Sequence, residues 1–272
     1  MTSTADYIAS LESWRRHRLE RLKAADGWLN IIGRWQLEPG SVTVGSAANN
    51  DIVLSAGPAR LGTLTQEAGG EVTFAPKKGG SPIRITPDRK HPPQFTVEGL
   101  LLEIMTLNGD NALRVRDTHS TAPDKLAPIE HFPTRPEWRI VAGWLPYAEP
   151  LHLTVGTTRN IDTSVEATHK AVFSVDGKPY ELIATHGTPE RPQFVIRDLT
   201  SRDSTYPASR FVYGEEVTGS SIVLDFNKAI NPPCAFTEFA VCPLPPPTNI
   251  LPFRIEAGEK WPHPRPAEVQ PD

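Results

Sequence analysis

The sequence predicts a mainly β protein: an N-terminal helix, then two antiparallel β modules, the first sandwich-like and the second a barrel-like meander, with a proline-rich C-terminal loop. Three observations predict this class. The 272 residues include 28 prolines, roughly twice the ordinary share, and proline is excluded from helix interiors and central strands. Short β-rich runs alternate with glycine and proline pairs, and a single segment shows helical periodicity. Disorder is opposed by the 38% hydrophobic content and a net charge of only -4.

The helix is predicted within residues 1–26, where apolar side chains recur every three to four positions. These side chains are Tyr7, Ile8, Leu11, Trp14, Leu19 and Leu22. Ser3 and Asp6 fit a capping box at the start of the helix, and Gly27 fits the position just after its end. We therefore expect one amphipathic helix of roughly 18 residues that packs across a sheet.

Turn signals divide the rest of the chain into modules. Asn108-Gly109 and Asp176-Gly177 each lie between β-rich runs, and both residues of such a pair tolerate positive φ. Prolines punctuate residues 117–136, which indicates a linker. The predicted organisation is the helix in 1–26, the first β module in 27–127, the second β module in 128–260 and a proline-rich tail in 261–272.

The charge balance and the motifs limit the classes of partner. With 28 basic and 32 acidic residues the chain has no basic footprint, so we expect no nucleic-acid partner. We find no apolar run as long as a membrane helix and no secretory signal, so we expect no membrane partner and a cytoplasmic location. Two cysteines fit a reducing compartment. No phosphate-binding loop or metalloprotease motif occurs, so we predict no cofactor and no metal, while a homodimer stays open.

Four motifs follow one another near the C-terminal end of the sequence. They are Asp225-Phe226-Asn227, Asn231-Pro232-Pro233-Cys234-Ala235-Phe236, Cys242-Pro243-Leu244-Pro245-Pro246-Pro247-Thr248-Asn249 and Ala257-Gly258-Glu259-Lys260. In order and spacing they closely resemble the uncharacterised bacterial and fungal family called domain of unknown function 1684. The segment from Asp198 to Phe211 resembles the same family, with Arg202 and Pro207 where that family has glycines. The resemblance implies relatedness and no known activity.

The first module partly resembles forkhead-associated domains, which bind phosphopeptides. Gly45-Ser46 and Asn50-Asp51-Ile52 follow their pattern, with Ser46 where they have arginine. Residues 58–62 lack their serine and histidine. The resemblance therefore implies a similar β sandwich without the groups that read a phosphate.

Polar residues of the family-like segment are the candidates for chemistry. Asp225 follows an apolar run and Arg210 opens one, so a carboxylate and a guanidinium can pair at the strand ends. If Asp198, Asp225 and Glu259 converge, their like charges drive the pKa values apart, which makes one an acid and another a base. The predicted catalytic residues are Asp225, Glu259 and Tyr206. The predicted substrate-binding residues are Arg210, Asp198, Thr205, Asn227, Asn231 and Asn249.

Two functional hypotheses follow from these residues. The leading one is a small-molecule-binding protein with a pocket between its modules, lined by residues 198–260. If the protein is an enzyme, we expect hydrolysis or isomerisation, with Asp225 as base, Arg210 as clamp for a carboxylate or phosphate, and Tyr206 as hydrogen-bond donor. The alternative is a non-catalytic protein-interaction module. The same polar residues also suit a network that holds a tail with few strand bonds onto the sheet. An Asp225–Arg210 pair sealed from solvent would contradict the catalytic hypothesis.

The two cysteines leave three alternatives open. Cys234 and Cys242 can form a structural thiol pair or disulfide, half of a zinc site, or a nucleophilic centre at Cys234. The zinc site needs further ligands, and the nucleophile needs a histidine such as His131, His152 or His186. Histidines in such positions are more often structural than catalytic, and we expect a structural pair of cysteines.

Overall fold

The computed structural model describes residues 3–261. The described chain is mainly β, as predicted, and one α-helix, α1 (Thr4–Lys23), lies near its start. The chain divides into two units. One unit consists of the described residues up to Arg18 together with those from Ala127 onward, and the other is Leu19–Leu126. No helix in the described part of the chain is long and apolar enough to cross a membrane.

The unit Leu19–Leu126 contains two β-sheets. Its strands are β1 (Ile31–Gln36), β2 (Gly40–Gly45), β3 (Ile52–Val53), β4 (Gly62–Gln66), β5 (Val72–Pro76), β6 (Ile83–Ile85), β7 (Gln94–Val97), β8 (Leu100–Leu107) and β9 (Asp110–Asp117). The sheet orders are β1-β9-β8-β7 and β3-β2-β4-β5-β6. Side chains from both sheets, such as Phe74 and Leu102, share one buried core, as in a sandwich. The likeness to forkhead-associated domains itself stays a prediction.

One strand pair of this unit departs from the expected antiparallel arrangement. β3 is two residues long and runs parallel to β2. The preceding Asp51 side chain accepts hydrogen bonds from the Thr43 backbone N–H at 2.8 Å and from its hydroxyl at 2.7 Å. These bonds fix the connecting loop against β2, so a short parallel pair forms without a long crossover.

Both predicted hairpins are confirmed. Asn108 and Gly109 have φ values of 54° and 92° and connect β8 to β9. Asp176 and Gly177, with φ values of 50° and 74°, connect the next hairpin of the chain. Positive φ at both central residues is the turn geometry that matches the right-handed twist of paired strands, which is why the local sequence is sufficient here.

The other unit is built on a seven-stranded antiparallel sheet. Its strands are β10 (Arg139–Val155), β11 (Thr163–Val175), β12 (Lys178–Ile183), β13 (His186–Thr188), β14 (Arg191–Ile196), β15 (Arg210–Glu215) and β16 (Ser221–Asp225). The order is β12-β11-β10-β16-β15-β14-β13, so β12 and β13 are its two ends and the described sheet does not close into a barrel. One buried cluster, which includes Trp144, Phe173, Phe194 and Phe226, forms the core of this unit.

The stretch after β16 is held to this sheet by short contacts. Four isolated bridges join it to earlier residues: Phe211 with Ile230, Thr157 with Pro243, Arg197 with Ile250 and His131 with Glu259. Prolines open short 3-10 turns at Pro233–Ala235 and Pro247–Asn249. Of the predicted tail 261–272, only Trp261 falls within the described residues. Because few ladder bonds exist here, side chains must satisfy much of the backbone.

Helix α1 begins with the predicted capping box. The Asp6 backbone N–H donates to the Ser3 hydroxyl at 3.1 Å, and the Ser3 backbone N–H donates to the Asp6 carboxylate at 3.4 Å. Leu11 is fully buried, whereas Ile8 and Leu19 are more than one third exposed. The predicted apolar stripe is therefore incomplete as a packing face, and polar side chains of α1 make part of its contacts.

Candidate functional site

Arg210 and Asp198 form a buried ion pair, and both side chains also hydrogen-bond the backbone. One guanidinium nitrogen of Arg210 donates to Asp198 at 2.6 Å and to the Ile255 carbonyl at 3.0 Å, and the other donates to the Ala257 carbonyl. Asp198 also accepts from the backbone N–H groups of Thr200 and Ile255, at 2.8 and 3.2 Å. Both charged side chains are 1% exposed. The Arg210 guanidinium is thereby committed to the protein, which leaves it poorly placed to clamp a ligand.

Two other predicted binding residues, Thr205 and Asn249, make similar structural bonds. Thr205 shares a hydrogen bond of 2.9 Å with the hydroxyl of Thr200. The Asn249 side chain bonds the backbone N–H and carbonyl of Ile183 in β12 and the carbonyl of Val195 in β14. These bonds tie together strands near opposite ends of the sheet order. The amide of Asn249 thus satisfies backbone groups that have no partner in a neighbouring strand.

Glu259 and Asn231 connect the C-terminal stretch to α1. Glu259 accepts from Arg18 of α1 at 3.2 Å and from the backbone N–H of Asn231 at 2.7 Å. The Asn231 side chain donates to the Lys260 carbonyl at 2.8 Å. Nearby, burial together with the positive charge of Arg15 and Arg18 lowers the pKa of His131 to about 4. Glu259 is fully buried, so its carboxylate faces protein donors and no cavity among those described below.

Asp225 lies at the end of β16 in a different environment. The Tyr7 hydroxyl of α1 donates to both of its carboxylate oxygens, at 2.9 and 3.0 Å. The backbone N–H of Asn227 donates to Asp225 at 3.1 Å, and the Asn227 side chain donates to the Tyr7 oxygen at 3.0 Å and to the Arg135 carbonyl at 2.8 Å. Burial raises the pKa of Asp225, although its hydrogen bond from Tyr7 and the charge of Lys228 oppose the rise. Burial beside Asp225 also raises the pKa of Tyr7.

A cavity of about 550 Å³ lies beside the Tyr7–Asp225 pair; we call it the α1 cavity. Its lining residues are Ser3, Thr4, Tyr7, Ser10, Pro136, Arg139, Glu215, Glu216 and Lys228. The Lys228 ammonium bonds both carboxylate oxygens of Glu215, at 2.8 and 2.7 Å, and lies 3.8 Å from Asp225. Arg139 pairs with Glu216. The cavity wall therefore presents two cations and two carboxylates. Tyr7 also lines the cavity and contacts the buried carboxylate of Asp225.

The predicted site residues therefore do not come together in a single cluster. Asp225 and Arg210 are both sealed from solvent, yet each is bonded to other partners rather than to its counterpart. Sequence reasoning missed the residues that line the α1 cavity. Lys228, three residues after Asp225 in the family-like stretch, carried a signal, because that spacing lets the two charges meet. Tyr7 was assigned to the apolar stripe, and its hydroxyl gave no local sign of a partner.

The second half of the chain matches a known protein family. A family model described as "Protein of unknown function (DUF1684)" matches residues 124–260. The chain belongs to this family. The match includes Asp198, Arg210, Asp225 and Glu259, whereas α1, which supplies Tyr7, precedes the matched region. No curated protein matches the chain.

One solved structure similar to this chain is the solution NMR structure of an uncharacterised protein from gene locus rrnAC0354 of Haloarcula marismortui. It is 25% identical, covers 50% of this chain and 78% of its own, and superposes with a TM-score of 0.42. That neighbour, like the DUF1684 family, is described without an activity.

Two further cavities lie in the same unit. One of about 520 Å³ is lined by residues that include Trp144, His169 and His186, and the Trp144 and His169 rings stack 4.8 Å apart. The other, of about 670 Å³, is lined by residues that include Trp138 and Phe253. Neither contains a predicted site residue. The α1 cavity alone among these three combines a cavity wall with a titratable pair of raised pKa.

The last predicted catalytic residue, Tyr206, lies at the cysteines of the DUF1684 motifs. Its hydroxyl donates to the Cys234 carbonyl at 3.2 Å. Cys234 and Cys242 are thiols that are not joined by a disulfide, and the Cys234 backbone N–H donates to the Cys242 sulfur at 3.2 Å. Within residues 3–261, no group of three or more His, Cys, Asp or Glu side chains is arranged to hold a metal. The cysteines therefore form a close thiol pair.

Proposed function

We propose that this protein binds a small zwitterionic molecule, of the amino-acid class, in the α1 cavity. The observation that carries the proposal is the pairing of opposite charges on one cavity wall: Lys228 with Glu215, and Arg139 with Glu216. The neutral polar residues Ser3, Thr4 and Ser10 also line this cavity. A cytoplasmic location, where such metabolites are present, belongs to the same proposal.

A zwitterion suits this wall because its two charges can replace partners in the protein's ion pairs without adding net charge to the cavity. The ammonium of the ligand replaces a cation at Glu215 or Glu216, and its carboxylate replaces a carboxylate at Lys228 or Arg139. Half-exposed ion pairs contribute only about 0–1 kcal/mol each, so opening them costs little. A ligand with a single charge would instead leave one protein charge unpaired in a cavity, which is unfavourable.

A second candidate function is acid–base catalysis on the bound molecule, and the Tyr7–Asp225 pair favours it. A carboxylate whose pKa is raised is a stronger base when it is ionised. Tyr7 lines the cavity and its hydroxyl donates to Asp225, so a proton would pass from the ligand to Tyr7 as Tyr7 gives its own to Asp225. Isomerisation or hydrolysis would then begin with proton removal from the ligand, while Arg139 and Lys228 hold the ligand's carboxylate.

Isothermal titration calorimetry tests the binding. The probes are L-serine, L-alanine, L-glutamine and glycine betaine, and the single-charge controls are propionate and propylamine. We expect at least one zwitterion to bind and both controls to fail. Arg139→Met should weaken that binding about tenfold, which is roughly 1.4 kcal/mol. Lys170→Met is the matched control, since Lys170 forms a similar surface pair with Glu181 outside the α1 cavity.

Two results would contradict the proposal. Equal heats from zwitterions and single-charge controls would remove the role of the paired charges. An equal loss of binding in Arg139→Met and Lys170→Met would show that overall charge, rather than the α1 cavity, governs affinity.

A further inference from the structure

Cys234 and Cys242 are held close together by the loop that contains them. Cys234 lies in the 3-10 turn Pro233–Ala235. Its backbone N–H donates to the Cys242 sulfur at 3.2 Å. This contact places the Cys242 sulfur beside Cys234, and a disulfide joins cysteines whose Cα atoms are about 4.4–6.8 Å apart.

Thr158 fixes the Cys242 end of the loop, and prolines restrict the backbone beside both cysteines. The Thr158 backbone N–H donates to the Cys242 carbonyl at 2.9 Å, and the Cys242 backbone N–H donates to the Thr158 hydroxyl at 3.2 Å. Pro232, Pro233 and Pro243 restrict φ beside the cysteines. Because both ends are already ordered, joining the sulfurs requires little further loss of backbone freedom.

The two thiols differ in exposure. Cys242 is 2% exposed, whereas Cys234 is partly exposed. The Cys242 thiol is the largest influence on the Cys234 thiol and lowers its pKa, and the nearby Tyr206 and Thr158 hydroxyls act in the same direction. An accessible thiol with thiolate character beside a buried second thiol is the arrangement found in redox-active cysteine pairs.

We propose that Cys234 and Cys242 are a redox-active dithiol, with Cys234 as the attacking and Cys242 as the resolving cysteine, and that a hydroperoxide converts them into a disulfide. This site is separate from the proposed zwitterion site, since neither cysteine lines the α1 cavity.

The chemistry has two balanced steps. The Cys234 thiolate attacks one peroxide oxygen, the O–O bond breaks, and Cys234 becomes a sulfenic acid. The other oxygen leaves as hydroxide or alkoxide and takes the proton that the Cys234 thiol had released, which gives water or an alcohol. The Cys242 sulfur then attacks the Cys234 sulfur, the S–O bond breaks, and hydroxide leaves and takes the Cys242 proton as water. The two thiols are oxidised by two electrons, the peroxide is reduced by two, and a dithiol reductant reverses the change.

Thiol counting and intact mass on the full-length protein test the proposal. The reduced protein should show two thiols under denaturing conditions. After a modest excess of hydrogen peroxide it should show none, its mass should fall by two hydrogen atoms, and dithiothreitol should restore both thiols. Thiols that survive the peroxide, or a mass that only gains oxygen, would overturn the proposal.

Single-cysteine variants assign the two roles. In Cys242→Ser, dimedone should trap the sulfenic acid on Cys234. In Cys234→Ser, the buried Cys242 should remain unlabelled. The reverse labelling pattern would overturn the assignment. If a variant fails to fold by circular dichroism, peptide mapping of the oxidised wild-type chain decides instead: an intramolecular Cys234–Cys242 disulfide supports the proposal and intermolecular links contradict it.

Tyr206 is a positioning residue in this proposal, and Tyr206→Phe tests it. Loss of the hydroxyl should slow alkylation of Cys234 about threefold at neutral pH and shift its pH profile upward. Tyr180→Phe is the matched control. A merely structural Tyr206 would leave the pH profile of Cys234 unchanged.

Discussion

Asp198 and Asp225 are two buried carboxylates of the same unit with opposite surroundings. Asp198 lies two residues after β14 and Asp225 is the last residue of β16, and the two residues are 3% and 1% exposed. Asp198 meets the guanidinium of Arg210 and backbone N–H groups. Asp225 meets a phenol and a backbone amide, with its nearest ammonium, that of Lys228, at 3.8 Å. Burial alone therefore does not distinguish a structural carboxylate from a candidate site. The groups that surround the carboxylate make that distinction.

The difference is electrostatic. Arg210 compensates the charge of Asp198 directly and donates its other hydrogen bonds to backbone carbonyls. Asp198 accepts its other hydrogen bonds from the backbone N–H groups of Thr200 and Ile255 and from the Thr200 hydroxyl. The cation beside Asp225, Lys228, is 3.8 Å away and bonds Glu215 more closely, so desolvation dominates and raises the pKa of Asp225. A carboxylate that is costly to ionise and adjoins a cavity can exchange a proton with a ligand. One that is neutralised inside the protein holds chain segments together.

Arg210→Met is expected to have the largest effect on the Asp198 side of this comparison. The variant leaves the Asp198 carboxylate without a cation and the Ile255 and Ala257 carbonyls without their donors. Removal of one partner of a buried pair costs about 3–5 kcal/mol. Urea denaturation followed by tryptophan fluorescence measures the loss in free energy of unfolding.

The double variant Asp198→Asn with Arg210→Met is the control. It removes the unpaired charge, so it should recover part of the lost stability. A single variant that stays within about 1 kcal/mol of the wild type would contradict a structural role for this pair.

The fold class was accessible from the sequence because its signals are local. Asn108-Gly109 and Asp176-Gly177 require positive φ, and the capping box of α1 lies within four residues. Sheet order was less accessible, since the two-residue parallel β3 and the unclosed sheet ends depend on contacts between distant residues.

The sequence predicted a set of polar residues for the site, but it did not predict that Asp198 and Asp225 lie in separate environments. The separation of Asp198 from Asp225 depends on partners far along the chain. Tyr7 and Asp225 are 218 positions apart, and Arg139 comes beside Asp225 through the register of β10 and β16. A sequence pattern states that a carboxylate ends a strand, but it does not state whether a guanidinium or a cavity faces it. That information arises only when α1 and the strands pack together.

Tyr7→Phe sharpens the Asp225 side of the comparison through pH. The variant removes a hydrogen bond that lowers the pKa of Asp225, so that pKa should rise further. When the pH is high enough for Asp225 to ionise without this donor, we expect a loss of about 1–2 kcal/mol. A carboxyl whose folded pKa is raised gives its stability below its unfolded pKa of 3.8 and loses it as pH rises through the folded value. The deficit of the variant should therefore shrink toward pH 4.

Urea unfolding of both proteins across this pH range measures the effect. Tyr147→Phe is the control, because Tyr147 lies over Lys170 and not at Asp225. A deficit that is the same at pH 4 and pH 7 would show that the Tyr7 hydroxyl acts independently of the charge of Asp225.

Lys228→Met has the smallest expected effect on stability and the most specific one on Asp225. Its pair with Glu215 is partly exposed, with side chains 20% and 30% accessible, so the loss should be about 1 kcal/mol or less. The positive charge of Lys228 lowers the pKa of Asp225, so its removal should raise that pKa, as read from the carboxyl carbon shift of Asp225 in an NMR titration. Lys170→Met removes a similar pair with Glu181 and should leave the Asp225 titration unchanged. An unchanged titration in Lys228→Met would mean that the cavity wall and the buried carboxylate are not coupled, and Asp225 would then belong with Asp198 as a structural residue.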